Sequence, residues 1–263
     1  MMFEAFRIAR FLAVFSAFAA FAIPAFAANE GRAVGVDPEA SALGAGVIRT
    51  LVVGTDVSVG ERIDTGPSGQ VQLVFVDQTR LVVGPGSSLL IETYLLRGGT
   101  SAERVVVDAL GGTFRFISGN SPSSAYRINT PSATIGVRGT GFDIFVARNL
   151  SGAMVYNGAV EFCANGACVL LADRCDIAIG GGSTATSLFS QENPEREEYV
   201  GAFRYARFQT PLLPDFRIGG ANRCTEPPAA RNDGVMSSES SGSSVATTPQ
   251  EPPPSGQGGS TVP

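Results

Sequence analysis

Between Gly46 and about Ile179 the chain alternates apolar and polar residues in short runs. In Gln70–Phe75, Val71, Leu73 and Phe75 fall on one side, and Gln70, Gln72 and Val74 on the other. A period of two over six residues predicts a half-buried strand. Similar runs are Val47–Val53, Arg80–Val83, Ser88–Tyr94, Arg104–Leu110, Thr113–Ile117, Ala125–Ile128, Gly141–Val146, Ala153–Tyr156, Ala159–Phe162 and Ala167–Leu171. They are rich in Val, Ile, Phe and Thr, which suit a pleated, partly covered surface. Turn chemistry separates them at short intervals: Gly66-Pro67-Ser68-Gly69, Gly84-Pro85-Gly86, Arg97-Gly98-Gly99 and Gly111-Gly112. Asn157-Gly158 predicts a type I′ hairpin joining Ala153–Tyr156 to Ala159–Phe162. No ten-residue window in this region has a helical period. The expected fold is all-β, a compact sandwich or β-roll of short strands over residues 46–180, large enough to bury its own core.

The flanks differ. Residues 28–45 carry few large apolar groups and are expected to form a flexible lead-in. Residues 181–225 are expected to form a small appendage with a short helix. Asn193 would be its N-cap, Pro194 would sit in the first turn, and Tyr199, Val200, Phe203 and Phe208 would form its apolar face. Residues 226–263 are Pro-, Ser- and Gly-rich and are expected to be a disordered tail. At the other end, Arg7 and Arg10 precede an uncharged apolar run, Phe11 to Ile23, and Ala25-Phe26-Ala27 fits a small-x-small cleavage site. The run is shorter than the ~20 residues of a spanning helix. Residues 1–27 are therefore expected to be a signal peptide, cleaved after Ala27 in preference to retention as an anchor. The remainder is expected to be periplasmic or secreted, with no stable membrane span.

Composition narrows the chemistry. All 19 basic residues are Arg, and His and Trp are absent. A Ser-His-Asp triad, an imidazole metal ligand and a Lys Schiff base are excluded, which leaves carboxylate-pair hydrolysis as the main catalytic alternative. A formal charge of −5 argues against nucleic acid as a partner. No cofactor is expected. The cysteines are Cys163, Cys168, Cys175 and Cys224. In an oxidising compartment Cys163–Cys168 would close a hairpin and Cys175–Cys224 would tie the C-terminal segment back. The other pairings stay open. A four-thiolate zinc site is disfavoured, because no C-x-x-C spacing is present.

One segment stands apart: Thr130–Phe145, TPSATIGVRGTGFDIF. Pro131 suits a strand start or edge, and Gly136, Gly139 and Gly141 permit positive φ or close backbone approach. Arg138 is the odd residue in an apolar setting. It could cross the turn and pair with Asp143, latching a bulged strand pair. On that reading its removal costs stability first. Alternatively Arg138, Gly139, Thr140, Gly141 and Asp143 could form an anion or peptide-carboxylate site. Asp56, Asp64, Asp77 and Asp108 are read as turn residues, Glu92 and Glu161 as solvent-facing, and Phe114, Phe116, Phe142, Phe145 and Phe162 as core.

This segment resembles the signature of the FecR domain, a module of the Gram-negative envelope. The likeness extends to Val57–Gly66, to Phe75–Pro85 (F-x-D-x-T-x-L-x-x-G-P) and to Leu110–Phe116 (G-G-x-F-x-F), in the family's order, over about residues 46–162. The resemblance implies an all-β domain that takes part in signalling, and with His and Lys missing no enzymatic activity is expected. The best-known members of that family relay a siderophore signal to a sigma factor through a cytoplasmic N-terminal region. Ten residues precede the apolar run here, so no sigma-factor contact is expected. The expected function is an exported binding or signalling module. It would recognise an envelope protein or cell-wall component through its β-domain, for instance by strand addition. The alternatives are a structural or adhesion component and a carboxylate-dependent envelope hydrolase.

Overall fold

The structure, a computed structural model, describes residues 29–226. The expected signal peptide and tail lie outside the described residues. Fifteen strands and a few short helical turns make up the described part. The chain runs β1 (Gly31–Asp37), β2 (Ala40–Gly44), β3 (Val47–Thr50), β4 (Asp56–Val57), β5 (Arg62–Thr65), β6 (Gln70–Phe75), β7 (Arg80–Val83) and β8 (Ser88–Leu96). Three long strands follow, β9 (Ala102–Ile117), β11 (Ala133–Ala147) and β12 (Leu150–Ala164), with the short β10 (Tyr126–Asn129) between the first two. β13 (Ala167–Leu171), β14 (Ile177–Gly181) and β15 (Thr184–Phe189) complete the sheet.

The three long strands organise everything else, because each bends and serves two neighbourhoods. The first half of β9 pairs with β8 and, in parallel, with β10. Its second half pairs with β7 and β11. The expected break at Gly111-Gly112 is therefore a bend within one strand, where Gly112 takes φ +104. A side chain at Gly112 would meet Ser87 Oγ at 2.1 Å. β11 bends at Arg138–Gly141, where the register to β12 shifts and Gly139 takes φ +68. Asn157-Gly158 is not a hairpin: β12 runs straight through it. Asn157 lies opposite Gly141 in the bulge, Gly158 takes φ +72, and the Asn157 side-chain carbonyl accepts the Gly141 N–H. The local signal for positive φ was right, but the ladder to β11 on both sides turns it into a bulge rather than a reversal. The type I′ geometry occurs instead at Asn165-Gly166, φ +51 and +77, between β12 and β13.

Residues 31–44, read as a flexible lead-in, form β1 and β2, paired with β6 and β5. Ala33, Ala40 and Ala42 are buried there, small enough for close strand packing, and Val36 packs against the main core. The inward faces of the bent sheet enclose a core that includes Phe75, Phe114, Phe116, Phe142 and Phe162. Phe116 packs on Phe142 and Tyr126 at 5.3 and 5.5 Å.

The outward face of β11, β12 and β14 is covered by the C-terminal segment. Asn193 does cap a turn there, accepting the Glu195 N–H at 2.9 Å with Pro194 following. The expected single helix is, however, two four-residue pieces, α1 (Glu197–Val200) and α2 (Arg204–Arg207). Val200 and Phe203 are buried with Phe145, Met154, Ile177 and Ile179, whereas Phe208 is exposed. The break lets Tyr205 reach Val82 and Phe216 in a separate small cluster.

Cys163 is bonded to Cys168 and Cys175 to Cys224. Arg196, fully buried, donates to the carbonyl oxygens of Cys175 and Cys224 at 3.3 and 2.8 Å. Among the described residues no group of acidic or cysteine side chains is placed to hold a metal, and no helix is long and apolar enough to cross a membrane.

The two disulfides differ in the loop they close, 49 against 5 residues of separation. Cys175→Ala/Cys224→Ala is expected to lower stability by about 2–4 kcal/mol in guanidinium titration, and Cys163→Ala/Cys168→Ala by less, since the shorter loop constrains the unfolded chain less.

Candidate functional site

Period-two alternation on β9 and β11 sends Phe114, Phe116, Phe142 and Ile144 inward, so Arg115 and Asp143 point outward on adjacent strands. Arg115 lies directly opposite Asp143 in the register. Their pairing is bidentate, Nε to Oδ1 at 2.7 Å and Nη2 to Oδ2 at 3.0 Å. The Tyr156 hydroxyl donates to Asp143 Oδ2 at 2.6 Å. The C-terminal segment then seals the pair: Arg115 donates to the carbonyls of Tyr205 (2.8 Å) and Phe216 (3.4 Å) and to the Gln209 side-chain oxygen. The guanidinium lies 5.2 Å from the Tyr156 ring centroid and 5.7 Å from that of Tyr205. Arg115 is 0% and Asp143 1% exposed. Burial works against the charged guanidinium, but the Asp143 carboxylate outweighs it and raises the Arg115 pKa. Burial, with Asp143 beside it, pushes Tyr156 well above its ordinary value. Both groups are thus held in one protonation state, which suits a lock and not proton transfer.

A second buried hub stands on the β6–β7 turn. Asp77 accepts the Thr79 N–H (3.1 Å), the Thr79 hydroxyl (2.8 Å), Ser121 Oγ (2.6 Å) and the Tyr126 hydroxyl (2.8 Å). Its own N–H donates to the Tyr94 hydroxyl at 2.9 Å. A side chain at Gly119 would meet the Asp77 carbonyl at 2.1 Å, so the loop can close only over glycine. Burial alone would raise the Asp77 pKa; the hydrogen bonds from Ser121, Tyr126 and Thr79 outweigh it and hold the carboxyl below its ordinary value.

The predicted site residues separate accordingly. Asp143 is buried in the first hub. Gly139 and Gly141 form the bulge. Thr140 lies on β11, and its side chain falls outside the described residues. Arg138 is exposed and makes no ion pair or hydrogen bond with the described residues. The latch assigned to Arg138 belongs to Arg115: Gly139 and Gly141 carry the chain through the bulge, and Arg138 keeps the outward phase of Gly136 on the opposite side of the bend from Asp143. Arg138 lines a depression of about 350 Å³ with Ser123, Ser124, Arg127, Gly136 and Glu161. Arg115, Tyr156 and Arg127 were missed. A signal existed for the first: Arg115 and Asp143 are each a lone charge inside an otherwise apolar run, on strands buried on both faces. For Arg127 there was none.

Residues 61–161 match the family model described as FecR protein. That range contains Asp77, Arg115, Arg138 and Asp143. Among solved structures, two crystal structures of a "putative anti-sigma factor" from Parabacteroides distasonis ATCC 8503, at 1.65 and 2.50 Å resolution, are similar, with TM-scores of 0.41 and 0.40 and 16% identity in each case. The similarity covers 53% of this chain and 63% and 62% of theirs, so it spans less than two thirds of those chains. No curated protein matches the chain.

Removing one partner of the first hub leaves the other charge buried. Asp143→Ala is expected to cost about 3–5 kcal/mol in urea titration, and Arg115→Met/Asp143→Leu less than that, because the double variant leaves no uncompensated charge. For the second hub the sign follows from a lowered folded pKa. Asp77 adds stability that is present above the ordinary carboxylate range and lost as pH falls through its lowered value. Stability measured from pH 7 to pH 2 is expected to fall on the acid side, and Asp77→Asn to flatten that limb while lowering the neutral plateau.

Proposed function

We propose that this chain, which carries a FecR domain at residues 61–161, is an exported, non-catalytic binding module of the bacterial envelope. It would take part in signalling by receiving an extended segment of a protein partner on the open edge of its sheet. The observation that carries the reading is β3. Among the described residues it pairs only with β2, in the register Leu43↔Ile48 and Ser41↔Thr50. The two-residue turn at Ala45-Gly46 closes on the Gly44↔Val47 pair, so Val47 and Arg49 bond inward and the N–H and C=O groups of Ile48 and Thr50 face outward. Val47 and Ile48 are 65% and 72% exposed, and Val52 and Val53 just beyond are 61% and 65% exposed. Edges of this kind are ordinarily blunted by charge or proline. Here the one charge, Arg49, is turned away to Glu61 at 2.7 Å and to the Asp56 carbonyl. Aliphatic side chains beside unpaired backbone groups suit strand addition, with the main chain giving affinity and the side chains selectivity.

Two further facts support a role in binding over chemistry. The three buried carboxylates among the described residues, Asp77, Asp143 and Asp176, are each held by two or more donors, Asp176 by the Ala172 and Asp173 N–H groups. Two disulfides suit an oxidising compartment.

The test is site-specific photocrosslinking from position 48 in intact cells, followed by mass spectrometry. One envelope protein is expected to be captured, and Ile48→Lys to abolish the complex while leaving unfolding stability within about 0.5 kcal/mol. Undiminished complex with Ile48→Lys would refute docking at this edge.

A further inference from the structure

The motif arginine left on the surface stands with two others. In the sheet register Arg127 on β10 lies opposite Val106 on β9 and Gly136 on β11. Arg104 is two residues before Val106, and Arg138 two residues after Gly136. Both therefore share the outward phase of Arg127 and sit one pleat row away, on either side of the Ser123–Ala125 turn. Three arginines on three adjacent strands thus form a triangle. Diagonal neighbours in such a lattice stand about 7–8 Å apart. All three are exposed, and none makes an ion pair or side-chain hydrogen bond with the described residues.

The surface between them is concave. The depression beside Arg138 adjoins a second one of about 480 Å³, which reaches Arg104 and Leu95; the two share Ser124 and Arg127. Gly136 makes the floor. With no side chain there, the space between Arg127 and Glu161 stays open, and an added Cβ would come no closer than 3.8 Å to any neighbour. The glycine is thus not required by packing, and its φ is not in the left-handed region. Of the two carboxylates at the trough, Glu103 is engaged by Arg97, and Glu161 stands opposite Gly136 with no ion pair among the described residues. A net basic trough is unusual on a chain of charge −5.

We propose that this trough binds an acidic, extended peptide segment of a protein partner, a second contact independent of the β3 edge. Alternate residues of an extended chain recur on one face about every 6.6–6.8 Å. Carboxylates at every second position therefore match the diagonal spacing of the arginines, each a fork that takes a carboxylate bidentately. Glu161 selects for a peptide over a denser anion. It would repel a phosphate array or an anionic membrane, whereas a peptide offers backbone N–H groups to it. The overall negative charge of the chain acts in the same direction.

The experiment uses the disulfide-bonded chain and a fluorescein-labelled peptide of alternating Glu and Thr, with alternating Lys and Thr as its control. Anisotropy titration is expected to show saturable binding of the Glu peptide that weakens with salt. Arg127→Ala/Arg138→Ala and, separately, Gly136→Val are each expected to weaken it at least tenfold at unchanged melting temperature. The valine fills the floor without removing a charge, so its effect separates a shaped trough from diffuse attraction. Ile48→Lys is expected to leave peptide binding intact, which keeps failure here distinct from failure of the edge reading. The proposal is overturned by no binding at millimolar peptide, or by equal binding to Gly136→Val. Inorganic phosphate or phosphatidylglycerol vesicles competing as well as the peptide would also overturn it.

Discussion

A charged pair with no access to water sits where the sheet meets the C-terminal segment, and the described structure is arranged around satisfying it. A guanidinium and a carboxylate taken into a protein interior each carry a desolvation penalty of several kcal/mol, and their attraction offsets it only when the remaining donors and acceptors are also used. Arg115 and Asp143 meet that condition, with Tyr156 on the carboxylate and the carbonyls of Tyr205 and Phe216 on the guanidinium. The consequence is directional. The C-terminal segment cannot leave without exposing or orphaning a buried cation, so segment and sheet form one cooperative unit. The Cys175–Cys224 disulfide and the carbonyl contacts of Arg196 hold the same segment at its far end.

That constraint explains which parts of the fold were legible in the sequence. Alternation and turn residues identified the all-β class and most strands, since period two and glycine chemistry are local properties. The errors lie where a long-range partner changes the meaning of a local signal. Asn157-Gly158 offers positive φ in either case. Whether the chain reverses or bulges depends on the continuing ladder to β11, some 16 residues away. Likewise Ala33, Ala40 and Ala42 look too small to order a strand until β5 and β6 are brought beside them.

The latch assigned to Arg138 was misread for a related reason. The segment around Arg138 displays its charge next to Asp143 in sequence, and sequence proximity suggested a pair. Strand alternation would place Arg138 and Asp143 in opposite phases even without a bend, five residues apart. The bulge at Gly139–Gly141 returns both to the outward face but on either side of the bend, Arg138 exposed and Asp143 under the C-terminal segment. Asp143 instead finds its partner directly across the ladder, on β9, 28 residues back. Two lone charges in apolar alternation on different strands is a pattern that sequence displays, but choosing their register needs the fold.

The division of arginines carries the functional argument further. Arg is the only cation in this chain, and its five donors allow uses that a lysine ammonium does not match. Arg115 and Arg196 use the fork internally, collecting carbonyls from segments distant in sequence. Arg104, Arg127 and Arg138 present the same group outward with no ion pair or side-chain hydrogen bond among the described residues. A structural requirement accounts for the first pair and for nothing about the three. Each exposed arginine gives up about 0.5–1.5 kcal/mol of rotamer freedom when a ligand orders it, but the backbone that positions it is already fixed by a sealed core and adds no further ordering cost. The buried lock and the outward triangle are thus linked. By keeping β9 and β11 in register through Arg115 and Asp143, the fold also sets the spacing at which a partner would meet Arg104 and Arg138.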